Sequence, residues 1–143
     1  PEYETAMRGG ASNCSVIVSD KTIKSIVLEQ FDCIVALDKR TVTDHLDRVK
    51  TGGTLIINSS LIKDPVQGTD IKIVEIPMND LADGLGNERT ANMIMLGAVN
   101  AVTGMVEDAS LIRKIESQFA GKDKVIALNI KAFETGVSAA KAE

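Results

Sequence analysis

Short apolar runs of strand length alternate with segments of helical spacing along this chain, and that alternation restricts the fold more than any other feature. Ser15 to Ser19 is a β-branched run closed by Ser19-Asp20-Lys21, which reads as a strand and a turn. Residues 32–37 (D-C-I-V-A-L) form a second run of strand length. From Asp38 to Lys50 the apolar positions Val42, Leu46 and Val49 fall on one helical face, and Gly52-Gly53 is expected to stop that helix. Thr54 to Ile57 reads as a third strand leading into Asn58-Ser59-Ser60, and Ile71 to Ile76 as a fourth ended by Pro77.

Beyond Met78 the pattern turns helical. Asn79 or Asp80 is expected to cap a short helix through Leu85. Residues 89–104 are long, nearly uncharged and rich in small side chains, with a stripe of Ala91, Met95, Ala98 and Val102. A helix apolar on most sides is buried on most sides. Ser110 to Phe119 reads as an amphipathic helix with Ile112, Ile115 and Phe119 inward. A last helix is expected from about Lys124 to Phe133, with the tail after Gly136 frayed. Strand–helix–strand alternation predicts an α/β domain: three Rossmann-like layers, a mainly parallel sheet, and helices on both faces. Residues 1–143 carry no linker or internal repeat and are expected to form a single domain.

Composition narrows the function classes. The net charge is −4, from 16 basic and 20 acidic residues, without a long Lys/Arg run, which argues against a nucleic-acid partner. No apolar run approaches the roughly 20 residues needed to span a bilayer. Cys14 and Cys33 lie far apart without a C-x-x-C spacing, which fits a reducing, cytoplasmic setting better than a disulfide or zinc framework. Aromatics make up 3%, so the core is aliphatic. The chain begins at Pro1 within a loop-like stretch, and a preceding N-terminal segment is expected.

Several residues could carry chemistry. Arg8-Gly9-Gly10 can set a guanidinium fork beside bare backbone N–H groups, which suits a phosphate or carboxylate; the same tripeptide also makes a plain turn with a surface Arg. Asn58-Ser59-Ser60 follows an apolar strand, where parallel sheets place their ligand crevice; these residue types equally make turns and caps. Asn92 opens a mostly apolar helix and needs a partner if buried. His45, the sole histidine, sits beside Asp44 and Asp47 and reads as a surface residue. A hydrolase using Ser59 or Ser60 with His45 lacks a G-x-S-x-G elbow, and a self-sufficient nucleotide-binding domain lacks the Gly-rich fingerprint after its first strand.

Five segments in register resemble the gamma subunit (domain III type) of thiamine-diphosphate-dependent 2-oxoacid:ferredoxin oxidoreductases. The stretch M-R-G-G-A-S-N-C-S-V-I-V-S-D from Met7 to Asp20 is similar to that family's R-G-G-T-A-N-C loop and strand. Phe31 to Ala36 is similar to its D-x-x-I-A strand, Gly52 to Ser60 to its G-G-x-L-I-x-N-S-S strand, Asn92 to Ala98 to its N-M-x-x-L-G-A helix, and Asn129 to Gly136 to its closing N-x-K-A-x-x-x-G. Two departures stand out. Ala6 replaces a family acid two residues before the Arg, with Glu4 nearby, and the family's opening G-x-G-G-Q-G loop is absent from this sequence.

The resemblance implies a subunit without a complete active site of its own and without catalytic residues of its own. It implies coenzyme-A-dependent oxidative decarboxylation of a 2-oxoacid at the level of a complex with alpha, beta and ferredoxin-like delta subunits. Thiamine diphosphate, magnesium and iron–sulfur clusters would sit on other chains, and ferredoxin or another acceptor would take the electrons. This chain would bind none of these alone and would pack as a homodimer when isolated. Arg8, Gly9 and Gly10 are the leading candidates for an anion or subunit contact, with Asn13, Asn58, Ser59 and Asn92 second. The alternative is a stand-alone nucleotide- or anion-binding α/β domain.

Overall fold

A computed structural model describes residues 2–3, 12–23 and 28–142, with Glu2 and Tyr3 described in backbone alone. In chain order the elements are β1 (Glu2–Tyr3), β2 (Ser12–Asn13), β3 (Phe31–Ala36), α1 (Lys39–His45), β4 (Val49–Asn58), β5 (Lys72–Ile76), α2 (Met78–Gly84), α3 (Ala91–Thr103), α4 (Asp108–Gln118) and α5 (Asp123–Ala142). Strands β3, β4 and β5 form a parallel sheet in that order, while β1 and β2 pair separately and antiparallel, Glu2 against Asn13.

Alternation along the strands divides the core in two. Ile34, Leu55 and Ile57 point to the face where Val42 and Leu46 from α1 and its 3-10 extension pack. Val35, Ile56, Val74 and Ile76 point to the opposite face, against Met78, Ile94, Met95, Ala98 and Ala132 from α2, α3 and α5. Helices therefore cover both faces of a parallel sheet, in the expected three layers. Both faces being covered explains why β4 carries the unbroken apolar run Leu55-Ile56-Ile57, all at most 1% exposed. Each such side chain contributes about 1.5–3 kcal/mol by burial.

The elements differ from the sequence reading in five places. Residues 14–19 carry no regular structure, with Val16 74% and Val18 65% exposed. A β-branched run favours extended backbone, but a strand also needs a ladder partner, and among the described residues none pairs with this one. The helix after Asp38 closes at His45, followed by a 3-10 turn Leu46–Arg48, and β4 begins at Val49. Gly52-Gly53 thus lies inside a strand. There the ladder jumps from Phe31↔Val49 to Cys33↔Thr54, so that one residue of β3 faces four of β4. Gly52 takes φ +77°, open to glycine without strain, and its N–H donates to the Asp70 carbonyl at 2.6 Å.

Pro77, not Asn79 or Asp80, occupies the cap position of α2. Asn79 is engaged elsewhere, its Oδ1 accepting from Asn58 Nδ2 at 2.9 Å, and the Asp80 N–H is satisfied by Ser60 Oγ at 3.1 Å. Helix α4 starts two residues early, at Asp108, because the Asn100 carboxamide grips its entry: Nδ2 donates to the Val106 carbonyl at 2.8 Å and to Asp108 Oδ1 at 2.7 Å. Ile115 is buried there, while Ile112 and Phe119 are half-buried.

Finally, α5 runs past Gly136 to Ala142, with Gly136 and Ala140 buried. A methyl group added at Gly136 would collide with the Ile94 carbonyl oxygen, and one at Gly97 with that of Phe133. The two glycines let the backbones of α3 and α5 touch, and that packing outweighs glycine's low helix propensity.

Candidate functional site

All three parallel strands end at one edge, and their following loops make its rim: Leu37-Asp38 after β3, Asn58-Ser59-Ser60 after β4, and Pro77-Met78-Asn79 after β5. Open α/β sheets bind ligands at this edge because loop side chains and backbone amides converge there. Asp38 Oδ1 accepts from Thr41 N at 2.9 Å and from its hydroxyl at 3.0 Å, which fixes the start of α1. The Lys39 ammonium pairs across the rim with Asp64, a hydrogen bond that holds the Asp64 carboxyl below the usual carboxylate range. Both groups are exposed, so the pair orients the loops more than it stabilises them.

Asn13 is half-buried and lines a small polar cleft of about 30 Å³ with Asp38, Arg40, Thr41, Asp44 and His45. The end of the β1–β2 ribbon therefore meets the β3 corner of the rim. Arg8, Gly9 and Gly10 fall between β1 and β2 in sequence and lie outside the described residues. Ser59 is half-buried, its N–H donating to the Ile76 carbonyl at 3.0 Å, which draws the β4 turn onto the end of β5.

Asn58 is fully buried, and its carboxamide is saturated. Nδ2 donates to the Leu37 carbonyl at 3.2 Å and to Asn79 Oδ1 at 2.9 Å, and Oδ1 accepts from Ser60 N at 3.2 Å. Asn92 stands apart, exposed near the start of α3, so it needs no buried partner. The rim thus gathers Asn13, Asn58 and Ser59 but not Asn92. Sequence reasoning missed Asn79 as a member of the rim. Its signal was faint: a polar residue just after an apolar strand and Pro77, which reads first as a helix cap.

Among the described residues no hydrogen bond joins His45 to Ser59 or Ser60, as a serine hydrolase would need. His45 faces the cleft beside Asn13, whereas the Ser60 hydroxyl is spent on the Asp80 N–H. Among the described residues no cluster of three His, Cys, Asp or Glu could hold a metal ion, and no helix is long and apolar enough to cross a membrane.

Of the two thiols, Cys14 is exposed and Cys33 half-buried. Burial, and secondarily the Asp32 charge, pushes the Cys33 thiol above its ordinary value. Alkylation by iodoacetamide at mildly alkaline pH is therefore expected at the exposed Cys14 first, with the half-buried Cys33 reacting more slowly; mass spectrometry of the labelled peptides checks it. Because the folded-state value is the higher one, stability contributed by the neutral thiol is complete below the unfolded value and is lost as pH rises through the folded value.

The family model described as pyruvate ferredoxin/flavodoxin oxidoreductase matches residues 1–139. The ketoisovalerate oxidoreductase subunit VorA of Methanothermobacter thermautotrophicus is 32% identical over 143 residues, covering 99% of this chain and 29% of VorA. The gamma subunit of a keto/oxoacid ferredoxin oxidoreductase from Geobacter sulfurreducens superposes with a TM-score of 0.69 at 26% identity, over 78% of this chain and 65% of that one. A 2-oxoglutarate:ferredoxin oxidoreductase from Magnetococcus marinus superposes with a TM-score of 0.73 at 25% identity, over 82% of this chain and 22% of that one. The chain spans less than a third of VorA's length, so the likeness is to one part of that longer chain. On the match across residues 1–139, the chain belongs to the pyruvate ferredoxin/flavodoxin oxidoreductase family, as a gamma-like component.

Proposed function

We propose that this chain acts as one domain within a complex that oxidatively decarboxylates a 2-oxoacid, delivers electrons to ferredoxin or a similar acceptor, and places the acyl group on coenzyme A. The observation that carries the reading is the family match across residues 1–139. The Magnetococcus marinus relative, solved with 2-oxoglutarate, coenzyme A and succinyl-CoA bound, supports the choice of substrate class and acyl acceptor. Alpha, beta and ferredoxin-like delta components are the proposed partners.

The cysteine count does not suit an iron–sulfur cluster held by this chain alone. An iron–sulfur cluster usually takes four thiolates, and this sequence has two cysteines, one of them a half-buried thiol held towards its neutral form. Thiamine diphosphate with magnesium, and the clusters, belong in this reading to other chains, where they supply the bond cleavage and electron transfer.

This chain's own part is reception and orientation of coenzyme A. Arg8-Gly9-Gly10 lies outside the described residues, and its chemistry carries the proposal: a guanidinium can bind a phosphate through two N–H groups, and glycine allows close approach to backbone N–H groups. Asn13 and Ser59 add neutral hydrogen-bonding groups along the rim. Asn92, exposed on α3, is proposed to face another subunit.

Arg8→Ala in the assembled complex tests the reading. The KM for coenzyme A is expected to rise on the order of tenfold or more, the worth of a charge-assisted hydrogen bond, while the KM for the 2-oxoacid holds. An unchanged KM for coenzyme A contradicts it.

A further inference from the structure

We infer that Asn58 is a positioning residue that acts through Asn79, and that Asn79 is the rim's outward hydrogen-bond donor to coenzyme A; the inference rests on the reading of this edge as the coenzyme A side of the complex. Asn58 is 0% exposed and cannot itself reach a ligand. Its carboxamide bonds to all three rim loops at once, through the Leu37 carbonyl, the Ser60 N–H and the Asn79 side chain.

The orientation of both amides follows from the backbone partners. The Leu37 carbonyl can only accept and the Ser60 N–H can only donate, so Asn58 must turn Nδ2 towards Leu37 and Oδ1 towards Ser60. The remaining Asn58 amide hydrogen then demands an acceptor, which compels Asn79 to present its oxygen inward. The Asn79 amide nitrogen is left on the other side, on a half-exposed residue, with no partner among the described residues. A hydrogen bond from the Asp80 N–H to Ser60 Oγ ties the same turn to the first turn of α2. The outcome is a donor whose direction is set by a buried group before any ligand arrives, which is how binding avoids the cost of ordering a loop. Its complement is an acceptor-bearing ligand group, and the phosphates and amide carbonyls of coenzyme A supply such acceptors.

Asn79→Asp isolates this role. A carboxylate still accepts from Asn58 Nδ2, so the buried bond persists, but the outward donor becomes an anionic oxygen. In the assembled complex the KM for coenzyme A is expected to rise on the order of tenfold or more, since small misplacements of binding groups carry penalties of this size. The kcat at saturating coenzyme A, the KM for the 2-oxoacid and the thermal midpoint should not move. Asn58→Ser is expected to raise the same KM, and Asn58→Ser with Asn79→Asp no further than Asn79→Asp alone, because the two act in series. Should Asn58→Ser fail to fold, Asn79→Asp decides the matter by itself. A silent Asn79→Asp, or additive effects in the double variant, overturns the inference. With Asn79→Asp silent and Arg8→Ala effective, the functional reading stands and this inference falls; with both silent, both fall.

Discussion

Gly136→Ala is expected to destabilise the fold by about 3 kcal/mol, the upper end for over-packing, because the added methyl meets the Ile94 carbonyl and neighbouring backbone, not a side chain that can rotate away. The sign is what makes the experiment informative. Glycine within a helix normally loses about 0.5–1 kcal/mol to alanine, so propensity alone predicts that this substitution stabilises α5. The contact between α3 and α5 predicts the reverse. Gly97 faces Phe133 in the reciprocal way, and Gly97→Ala should cost a similar amount. Urea denaturation of each variant checks this. A midpoint at or above that of the parent protein would mean that the two helices do not touch as described.

Phe133→Ala is expected to cost about 3–5 kcal/mol, the range for emptying a fully buried aromatic site. Phe133 is 1% exposed and is the largest of the fully buried side chains. The other two phenylalanines are less committed: Phe31 is half-buried under the Arg48 guanidinium, 4.9 Å from the ring centroid, and Phe119 closes α4 half-buried. Among the described residues the rest of the apolar core is built of Leu, Ile, Val, Met and Ala, with no other fully buried ring to fill the space. Phe133→Leu should therefore recover much of the loss, while Phe119→Ala should cost markedly less than Phe133→Ala. Equilibrium unfolding of the three variants tests that ranking, and equal losses at positions 119 and 133 would contradict it.

The limits of reading this chain from its residues follow from the physics of each element. Strands β3, β4 and β5 were legible because a sheet covered on both faces writes itself as consecutive apolar residues, as in Leu55-Ile56-Ile57. The run at Ser15 to Ser19 has the same texture but no partner strand among the described residues, and texture alone does not make a ladder. Gly52-Gly53 read as a helix stop because glycine pairs usually are; here they form a bulge within β4, which only the register with β3 and Asp70 reveals. Gly136 read as the start of a frayed tail for the same reason, while its actual role depends on Ile94, more than forty positions away in sequence. Of the candidate site, the turn Asn58-Ser59-Ser60 was visible because it follows a strand. Its link to Asn79 was not, since nothing local to either residue records a side-chain bond that crosses from one strand end to the next.

Family membership rests on residues 1–139, whereas the role of this chain within a complex rests on what the complex does without it. The most direct test is to assemble the complex with and without this chain and follow coenzyme-A-dependent oxidation of a panel of 2-oxoacids with a viologen dye as electron acceptor. The account predicts turnover of a 2-oxoacid by the full assembly and its loss when this chain is omitted. Equal turnover without the chain would contradict the proposed role and move a separate anion-binding function to the front.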